Sequence, residues 1–177
     1  MNKKVNRVLV TMGEWNSITW KFFAGVYSPE IELCTAAFCI VTFKKRLVLV
    51  KQKNRGYEFA GGHVDSNEAI IDTVIREVRE ESQAVIETPI FFGYKEISPE
   101  KPIPHRDKPD QFYPFPNSYI PYFYAEAQQL LKNQPLADDV ESIRLTTFDE
   151  AKGLLKPGHN HDLILAYLVD SELINVR

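Results

Sequence analysis

Three glutamates with helical spacing are the residues in this chain best suited to chemistry. Glu77, Glu80 and Glu81 are related by i, i+3 and i+4 spacing, which places them on one face of an α-helix and within reach of one point. Such carboxylates repel each other unless positive charge lies among them, and Arg76 stands four residues before Glu80. Carboxylate oxygens suit hard cations such as Mg²⁺ and Mn²⁺, and no nearby cysteine or histidine suggests zinc. The spacing therefore indicates a divalent-cation site, with a solvated acidic face as the alternative.

The segment that carries these glutamates is predicted to be an amphipathic helix over residues 68–82. Its apolar residues recur at 3,4-type spacing, namely at Ile71, Val74, Ile75 and Val78. Ser66 or Asn67 is predicted to cap its N-terminus, and Glu68 is favourable near the positive end of the helix. One face of this helix is therefore predicted to be buried while the glutamates stay accessible.

A fixed pattern of glycine, glutamate and arginine runs through this helix and the loop before it. From Gly62 the chain has five residues, Glu68, seven residues, and then Arg76-Glu77-Val78-Arg79-Glu80-Glu81. This pattern resembles the Nudix box, the signature of the Nudix hydrolase family. The preceding RGYEFAGG (residues 55–62) and the strand with the following Asp-Glu-Ala near residue 149 are also similar to family segments. The likeness covers the middle and much of the C-terminal half of the chain.

The pattern departs from the family at three positions. Ala60 replaces a proline, which removes a rigid φ angle but no ligand. Gln83 replaces a glycine that ends the helix in a left-handed conformation, where glutamine would cost about 1 kcal/mol unless the helix continues further. Ala84 replaces a bulky aliphatic residue. These changes concern the exit of the helix and leave the carboxylates intact.

The resemblance implies a fold and a set of roles. The fold is α/β (α+β), an α/β/α sandwich around a mixed β-sheet that forms a single domain over residues 1–177. The implied ligands of Mg²⁺, with Mn²⁺ as a substitute, are the side chains of Glu77, Glu80 and Glu81 and the carbonyl of Gly61. Arg76 would orient the glutamates, and Glu68 would brace the loop against the helix. Metal ions held this way can neutralise a diphosphate and activate water.

The general base has several candidates. Glu77 or Glu80 could serve, and some family members use a glutamate outside the box. Asp138, Asp139 and Glu141 precede the last predicted strand, and Glu141 is retained as an extra candidate base. A solvated acidic turn is an equally good interpretation of these three residues.

A long segment over residues 98–118 is predicted to be an irregular insertion or lid. Seven of the eleven prolines lie between Pro99 and Pro121, and proline cannot donate to a sheet ladder. Loops of this length inside a compact domain are usually functional lids or disordered segments, and the interleaved aromatic residues favour a packed lid.

Four residues are candidates for substrate contacts. Arg55 and Tyr57 lie just before the glycine pair and could meet a phosphate and a base. Phe112 and Tyr113, with the neighbouring aromatics of the predicted lid, could stack on a nucleobase. Packing within the core or the lid is an equally good interpretation of these rings. His159 and His161 resemble a metal-binding pair but are better explained as a turn and the start of a helix.

The remaining elements follow from hydrophobic patterning. Strands are predicted at 7–11, 18–23, 35–43, 47–52, 84–87, 90–97, 119–125 and 143–148, and short helices at 149–155 and 161–169. Residues 54–68 are predicted to form a glycine-bearing loop. With strands and helices interspersed, the pattern agrees with a mixed α/β domain.

The net charge and the hydrophobic pattern limit which partners the chain is expected to bind. The net charge of −3 over 177 residues argues against a general nucleic-acid binder, which needs a basic face. A small nucleotide stays compatible, because a bound cation brings positive charge. The apolar runs are shorter than the roughly 18 residues of a membrane span, and no leader pattern is evident. No membrane contact and a cytoplasmic location are therefore expected, and a homodimer is left open.

These observations lead to one functional expectation and its alternatives. The chain is predicted to hydrolyse a diphosphate linkage in a nucleoside triphosphate, with oxidised purine nucleotides included, giving the monophosphate and pyrophosphate. Nucleotide sugars or dinucleoside polyphosphates are alternative substrates. A sensor module that binds a nucleotide without cleaving it is the alternative from another class, and the intact set of charged residues counts against it.

Overall fold

The computed structural model describes residues 7–15, 18–26, 29–105, 110–131, 135–155 and 158–174. Its strands are β1 (Arg7–Trp15), β2 (Ile18–Gly25), β3 (Ala36–Phe43), β4 (Arg46–Gln52), β5 (Gly56–Glu58), β6 (Ala60–His63), β7 (Ala84–Val85), β8 (Ile90–Pro99), β9 (Ser118–Glu126), β10 (Gln129–Leu130) and β11 (Val140–Thr146). Its α-helices are α1 (Ile70–Ser82), α2 (Phe148–Leu154) and α3 (His161–Asp170). Within the described ranges, every helix is too short or too polar to cross a bilayer.

One mixed sheet organises the fold. Its main path runs β1-β2-β8-β9-β3-β4-β11, with β5 paired to β4 and β6 paired to β3. Strands β3 and β9 are parallel, and the other pairs in this sheet are antiparallel. Strand β3 contacts β6 with its first half, β4 with its second half, and β9 along its other edge. The segments that lead into α1 are therefore fixed to the centre of the sheet.

Helices cover both faces of the sheet. On one face, Val74 and Val78 of α1 pack against the alternate β3 residues Cys39 and Val41. On the other face, α2 and α3 pack against a cluster that includes Ile40. This division follows from the two-residue alternation of side chains along β3. The predicted α/β/α sandwich around a mixed sheet is confirmed.

The ends of α1 show two local departures from expectation. The N-cap residue is Ala69, and no side chain caps the helix there, so the predicted capping by Ser66 or Asn67 is wrong. At the C-terminus, Gln83 adopts the left-handed conformation, with φ 56° and ψ 15°. The helix therefore ends where the family's glycine would end it, at a cost of about 1 kcal/mol for a residue with a side chain.

The glycine-bearing segment differs most from its prediction. The predicted strands and helices are present with ends shifted by a few residues, but residues 54–68, predicted to be a loop, contain the strands β5 and β6. Glu58 of β5 lies opposite Val50 of β4, and Gly61 of β6 lies opposite Phe38 of β3. Glycine weakens a strand by itself, so the pairing with the central strands decides this structure rather than local propensity.

The segment predicted as a lid joins β8 to β9. The strands extend to Pro99 and begin again at Ser118, so the irregular part is shorter than predicted. Its described residues form a hairpin-like excursion, in which Tyr113 N donates to Ile103 O over 2.9 Å and His105 N donates to Gln111 O over 2.8 Å. The ring of Phe112 is 60% exposed. This part of the chain is therefore ordered by backbone pairing, with Phe112 presented to solvent.

Candidate active site

Arg76, in the middle of α1, is the centre of a charge network. Its Nε and Nη2 atoms donate to both carboxylate oxygens of Glu68 over 2.8 and 2.9 Å. Its Nη1 donates to Glu77 over 2.8 Å and more weakly to Glu80 over 3.4 Å. Nη2 also donates to the carbonyl oxygen of His63 over 3.2 Å. A planar guanidinium can satisfy several such acceptors at once, so Arg76 fixes loop and helix together.

Glu68 joins the loop before α1 to the helix itself. Besides binding Arg76, its carboxylate accepts hydrogen bonds from Thr73 Oγ1 over 2.7 Å and from the backbone N–H of Asp65 over 3.2 Å. The Arg76 hydrogen bonds are the main cause that lowers the pKa of Glu68 to about 2. Glu68 is therefore ionised at neutral pH and has its acceptors used within the protein.

Glu77 lies directly against the glycine pair. A Cβ atom added to Gly62 would overlap the Glu77 carboxylate, so only glycine leaves room for the carboxylate in this position. The Glu77 side chain is 14% exposed, and burial raises its pKa against the opposing effect of Arg76. The charged form of Glu77 is therefore only partly compensated where it stands.

Glu81 is the buried member of the set and is 4% exposed. Its carboxylate accepts hydrogen bonds from the backbone N–H of Gly61 over 2.9 Å and from Gln52 Nε2 over 2.5 Å. Burial raises the pKa of Glu81 to about 7, despite both hydrogen bonds. The sequence indicated an accessible residue, and this burial corrects that expectation. Gln52 is a partner that spacing arguments could not supply.

The three glutamates have different partners. Within the described ranges, no group of three acidic, histidine or cysteine side chains is arranged to hold a metal ion. Arg76 donates to Glu77 and Glu80, whereas Gly61 and Gln52 donate to Glu81. That the three carboxylates share one cation stays a prediction.

The donor chemistry nevertheless fits a divalent cation. Glu77 and Glu81 both press their carboxylates against the Gly61–Gly62 pair, and burial raises the pKa of each. Desolvated carboxylates beside each other are stabilised in their charged form by a nearby positive charge. Carboxylate oxygens are the ligands that magnesium and manganese prefer. Glu80, whose side chain is 53% exposed, adds an acceptor at the edge that faces solvent.

The acidic residues outside the helix separate into two positions. Glu141 lies within β11, at a bulge and not in the preceding turn, and forms a 2.6 Å ion pair with Lys51. Asp139 in the turn contributes to raising the pKa of Glu81 and lies 3.6 Å from Arg55. The charge of Asp139 therefore acts on the Glu81 carboxylate, whereas Glu141 is paired with Lys51.

The residues predicted to bind substrate are placed in different surroundings. Arg55 is exposed and lines a groove of about 470 Å³ together with Gln52 and Asp139. Tyr57 is half-buried and packs against the core on the α2 and α3 face, which agrees with the packing interpretation. The structure therefore brings Arg55 close to Gln52 and Asp139, which both act on Glu81. Most of the Tyr57 side chain packs in the core.

Tyr113 connects the irregular segment to the charge network. Its hydroxyl lies 3.2 Å from Nε2 of His63, and the carbonyl oxygen of His63 accepts from Arg76. The ring of His105 lies 4.6 Å from that of Tyr113. Spacing along the chain assigned no role to His63 or His105, because neither has a partner at a recognisable interval. The structure brings both to the edge of the acidic site.

Comparison with known proteins agrees with this architecture. A model of the NUDIX domain matches residues 33–167, which is most of the chain. The chain belongs to the Nudix family. Members of the family generally use divalent metal ions and act on small nucleotide substrates. The matched range includes the glycine pair, α1 and the strands that hold them.

Individual relatives of this Nudix protein are distant. A Bacillus subtilis (strain 168) protein named "Putative 8-oxo-dGTP diphosphatase YtkD" is 37% identical over 65 residues, which is 36% of this chain and 41% of that protein. The chain thus matches well under half the length of this curated relative. A mutant of the B. subtilis pyrophosphohydrolase BsRppH has a TM-score of 0.56 at 20% identity, with 71% of each chain covered. A NUDIX hydrolase from Nitrosomonas europaea has a TM-score of 0.53 at 14% identity, covering 77% of this chain and 90% of the other. Both structures support the fold.

Proposed function

We propose that this Nudix protein is a magnesium-dependent pyrophosphohydrolase of nucleoside triphosphates, oxidised purine nucleotides included. The products would be a nucleoside monophosphate and pyrophosphate, and Mn²⁺ would substitute for Mg²⁺. One observation carries the proposal: the Glu77 and Glu81 carboxylates lie against the glycine pair, desolvated, with Glu80 beside them. The matched B. subtilis relative, whose name describes an 8-oxo-dGTP diphosphatase, supports the choice of substrate class.

Each charged residue has a distinct part in this proposal. Glu77, Glu80, Glu81 and the Gly61 carbonyl would hold the cation, which supplies charge neutralisation and an activated water when bound. Arg76 would position Glu77 and Glu80 through the hydrogen bonds described above. Glu68 would act through Arg76 rather than touch substrate. Glu77 and Glu80 are the candidates for the general base, and of these Glu80 is the one that solvent reaches.

The phosphate end of the substrate would lie at the acidic site, and the segment over residues 98–118 would border it. Arg55 is free to swing from Asp139, 3.6 Å away, toward a phosphate, and an exposed ion pair of this kind is weak. Phe112 and Tyr113 lie at the other edge, where they could cover a bound nucleotide. We propose that this segment acts as a lid. The cytoplasmic location and the homodimer stay predictions.

A product assay tests the proposal directly. The protein is incubated with canonical and 8-oxo nucleoside triphosphates, a nucleotide sugar and a dinucleoside polyphosphate, with Mg²⁺ in the low millimolar range (on the order of 5 mM, to saturate a weak carboxylate site). We expect pyrophosphate and a monophosphate from the triphosphates, and no turnover when a chelator removes the metal. Faster cleavage of the nucleotide sugar or of the dinucleoside polyphosphate would show that the substrate class is not the nucleoside triphosphates. Tight binding of nucleotides without any product would favour the sensor.

The two neighbouring glycines give a matched pair of variants. We expect Gly62→Ala to lower turnover while changing stability little, because the added Cβ meets only the movable end of Glu77. We expect Gly61→Ala to lower the free energy of unfolding by about 1–3 kcal/mol, because its Cβ would overlap the backbone of Ala37 and Phe38. Thermal unfolding and turnover are measured for both. Equal loss of stability in the two variants would contradict this assignment of the glycines.

A further inference from the structure

A cavity of about 140 Å³ lies on the α3 face of the sheet, and none of the α1 glutamates lines it. Its walls come from separate parts of the chain: Glu58 ends β5, Lys95 lies in β8, and His161 begins α3. The rings of Phe38 and Tyr122, stacked 5.5 Å apart, form part of the wall. A cavity of about 150 Å³ can accept a benzene ring, so this one has room for the edge of a planar heterocycle.

Three polar side chains around the cavity are almost completely buried. Lys95, His161 and Glu58 are 1%, 2% and 5% exposed. The Lys95 ammonium donates to the His159 carbonyl oxygen over 3.5 Å, which is long for a hydrogen bond. Nδ1 of His161 has no hydrogen-bond partner in the part of the chain that the structure describes. Buried polar groups are normally satisfied, so Lys95 and His161 offer the cavity hydrogen bonds that the described part of the chain does not fully use.

The lysine is held by aromatic rings rather than by close acceptors. Its Nζ lies 4.4 Å from the ring centroid of Trp20, 5.4 Å from that of Trp15 and 5.7 Å from that of Tyr122. Glu58 is the carboxylate whose charge acts on it. Packing alone does not require a buried ammonium, since an apolar side chain would fill the same place at lower cost. A ligand that uses both charges would account for them.

We propose that this cavity binds the base of a guanine-type (6-oxopurine) nucleotide, with Lys95 donating to the 6-oxo oxygen and Glu58 accepting from the adjacent ring N–H and amino group. This inference rests on the proposed nucleotide hydrolysis and names the base that is chosen. Guanine presents an acceptor oxygen beside two donors, which matches an ammonium beside a carboxylate. Adenine presents an amino donor beside a ring-nitrogen acceptor, so both of its groups would face the wrong partner.

The position of the cavity fits a base whose phosphates reach the acidic site. Arg55 lines this cavity and also lines the groove shared with Gln52 and Asp139. Gln52 donates to Glu81, so Arg55 stands between the wall of the cavity and a groove whose lining contacts the acidic site. A nucleotide seated in the cavity would therefore place its phosphate chain along Arg55 toward α1.

The tryptophans provide a readout that is independent of hydrolysis. The chain has two tryptophans, Trp15 and Trp20, and both lie beside Lys95. Guanosine, inosine, adenosine and uridine are titrated without metal while tryptophan fluorescence is followed. We expect guanosine to bind best, inosine to bind more weakly because it lacks the amino group, and adenosine and uridine to bind at least about tenfold more weakly than guanosine.

Matched variants assign the recognition to the two charges. Glu58→Gln and Lys95→Met are each expected to weaken guanosine binding by about tenfold or more, and circular dichroism checks their fold. The exposed residues Glu87 and Lys21 supply the controls Glu87→Gln and Lys21→Met, which should bind as the unmodified protein does. Equal affinity for guanosine and adenosine, or no fluorescence change with any nucleoside, would overturn the inference. Hydrolysis of all nucleoside triphosphates at equal rates would overturn the assignment of the base and leave the proposed function standing. Selective guanosine binding without hydrolysis would refute the proposed function and leave the assignment of the base standing.

Discussion

The Glu81→Gln variant is expected to lose turnover by about a hundredfold or more while staying folded. The loss follows because a neutral amide is a poor ligand for a hard cation, and a metal contribution is worth several kcal/mol of transition-state stabilisation. Glutamine keeps the length of the side chain and still offers an oxygen to the Gly61 N–H. The measurement is turnover of a nucleoside triphosphate with Mg²⁺, beside the exposed control Glu87→Gln.

The fold of this variant is supported by an unused atom. Gln52 Oε1 is buried and has no hydrogen-bond partner in the described part of the chain. If Gln52 turns its amide over, it can accept from the amide introduced at position 81, so the pair stays hydrogen-bonded. Burial raises the pKa of Glu81 from 4.5 to about 7, so without metal the unmodified protein loses stability as the pH rises across that interval. The variant, which has no charge there, escapes this loss. Wild-type turnover in a folded Glu81→Gln protein would refute the role of Glu81 as a ligand.

The double variant Glu58→Gln, Lys95→Met is expected to be more stable than the unmodified protein by about 1–4 kcal/mol at pH 7. Replacing both buried charges removes the desolvation cost of the ammonium and of the carboxylate together. Methionine also fills the space of the lysine stem between the aromatic rings. Natural proteins keep such costly groups where function needs them, so the same variant should lose selective guanosine binding. Urea unfolding measures the stability, and Glu87→Gln, Lys21→Met is the matched control.

The stability gain should depend on pH with a definite sign. Burial lowers the pKa of Lys95 from 10.5 to about 7 in the folded protein, against the opposing effect of Glu58. A lowered pKa gives a stability contribution that is present above pH 10.5 and lost as the pH falls through 7. The unmodified protein therefore gains stability as the pH rises from 7 to 10.5. The difference in the free energy of unfolding between the double variant and the unmodified protein becomes smaller over the same interval. A deficit that widens over this range would contradict the buried position of Lys95.

Hydrophobic periodicity was sufficient for most of the helices and strands. The apolar stripe of α1 and the strand patterns predicted these elements, because the burial of one face or one stripe dictates them. Their arrangement as a sandwich was implied by the resemblance to the Nudix family. The strands β5 and β6 escaped prediction because glycine-rich sequence has no strand preference of its own. Their structure comes from pairing with β3 and β4, which is information that local sequence lacks.

Some residues of the candidate site could be predicted from local sequence, and others could not. The three glutamates were predicted because their spacing on one helix is regular, and the roles of Gly61 and Glu68 were implied by the resemblance to the Nudix family. Gln52 and the Lys95 cavity were missed, since the cavity residues Glu58, Lys95 and His161 come from distant parts of the chain. One signal was available: in the two-residue alternation of the sequence, Lys95 falls on the same side of β8 as Phe91 and Ile97, at a position that this alternation would bury. A charged residue in such a place marks a polar site inside a core.

The parallel pairing of β3 with β9 also constrains the order of assembly. Phe38 cannot meet Tyr122 until the ribosome has released more than eighty additional residues, so the centre of the sheet keeps an open edge through much of synthesis. Unpaired edges of this kind invite wrong partners, and distant contacts form slowly. Because Tyr122 also walls the cavity beside Lys95, the arrival of β9 both joins the centre of the sheet and adds a wall to that cavity, which His159 and His161 complete later still.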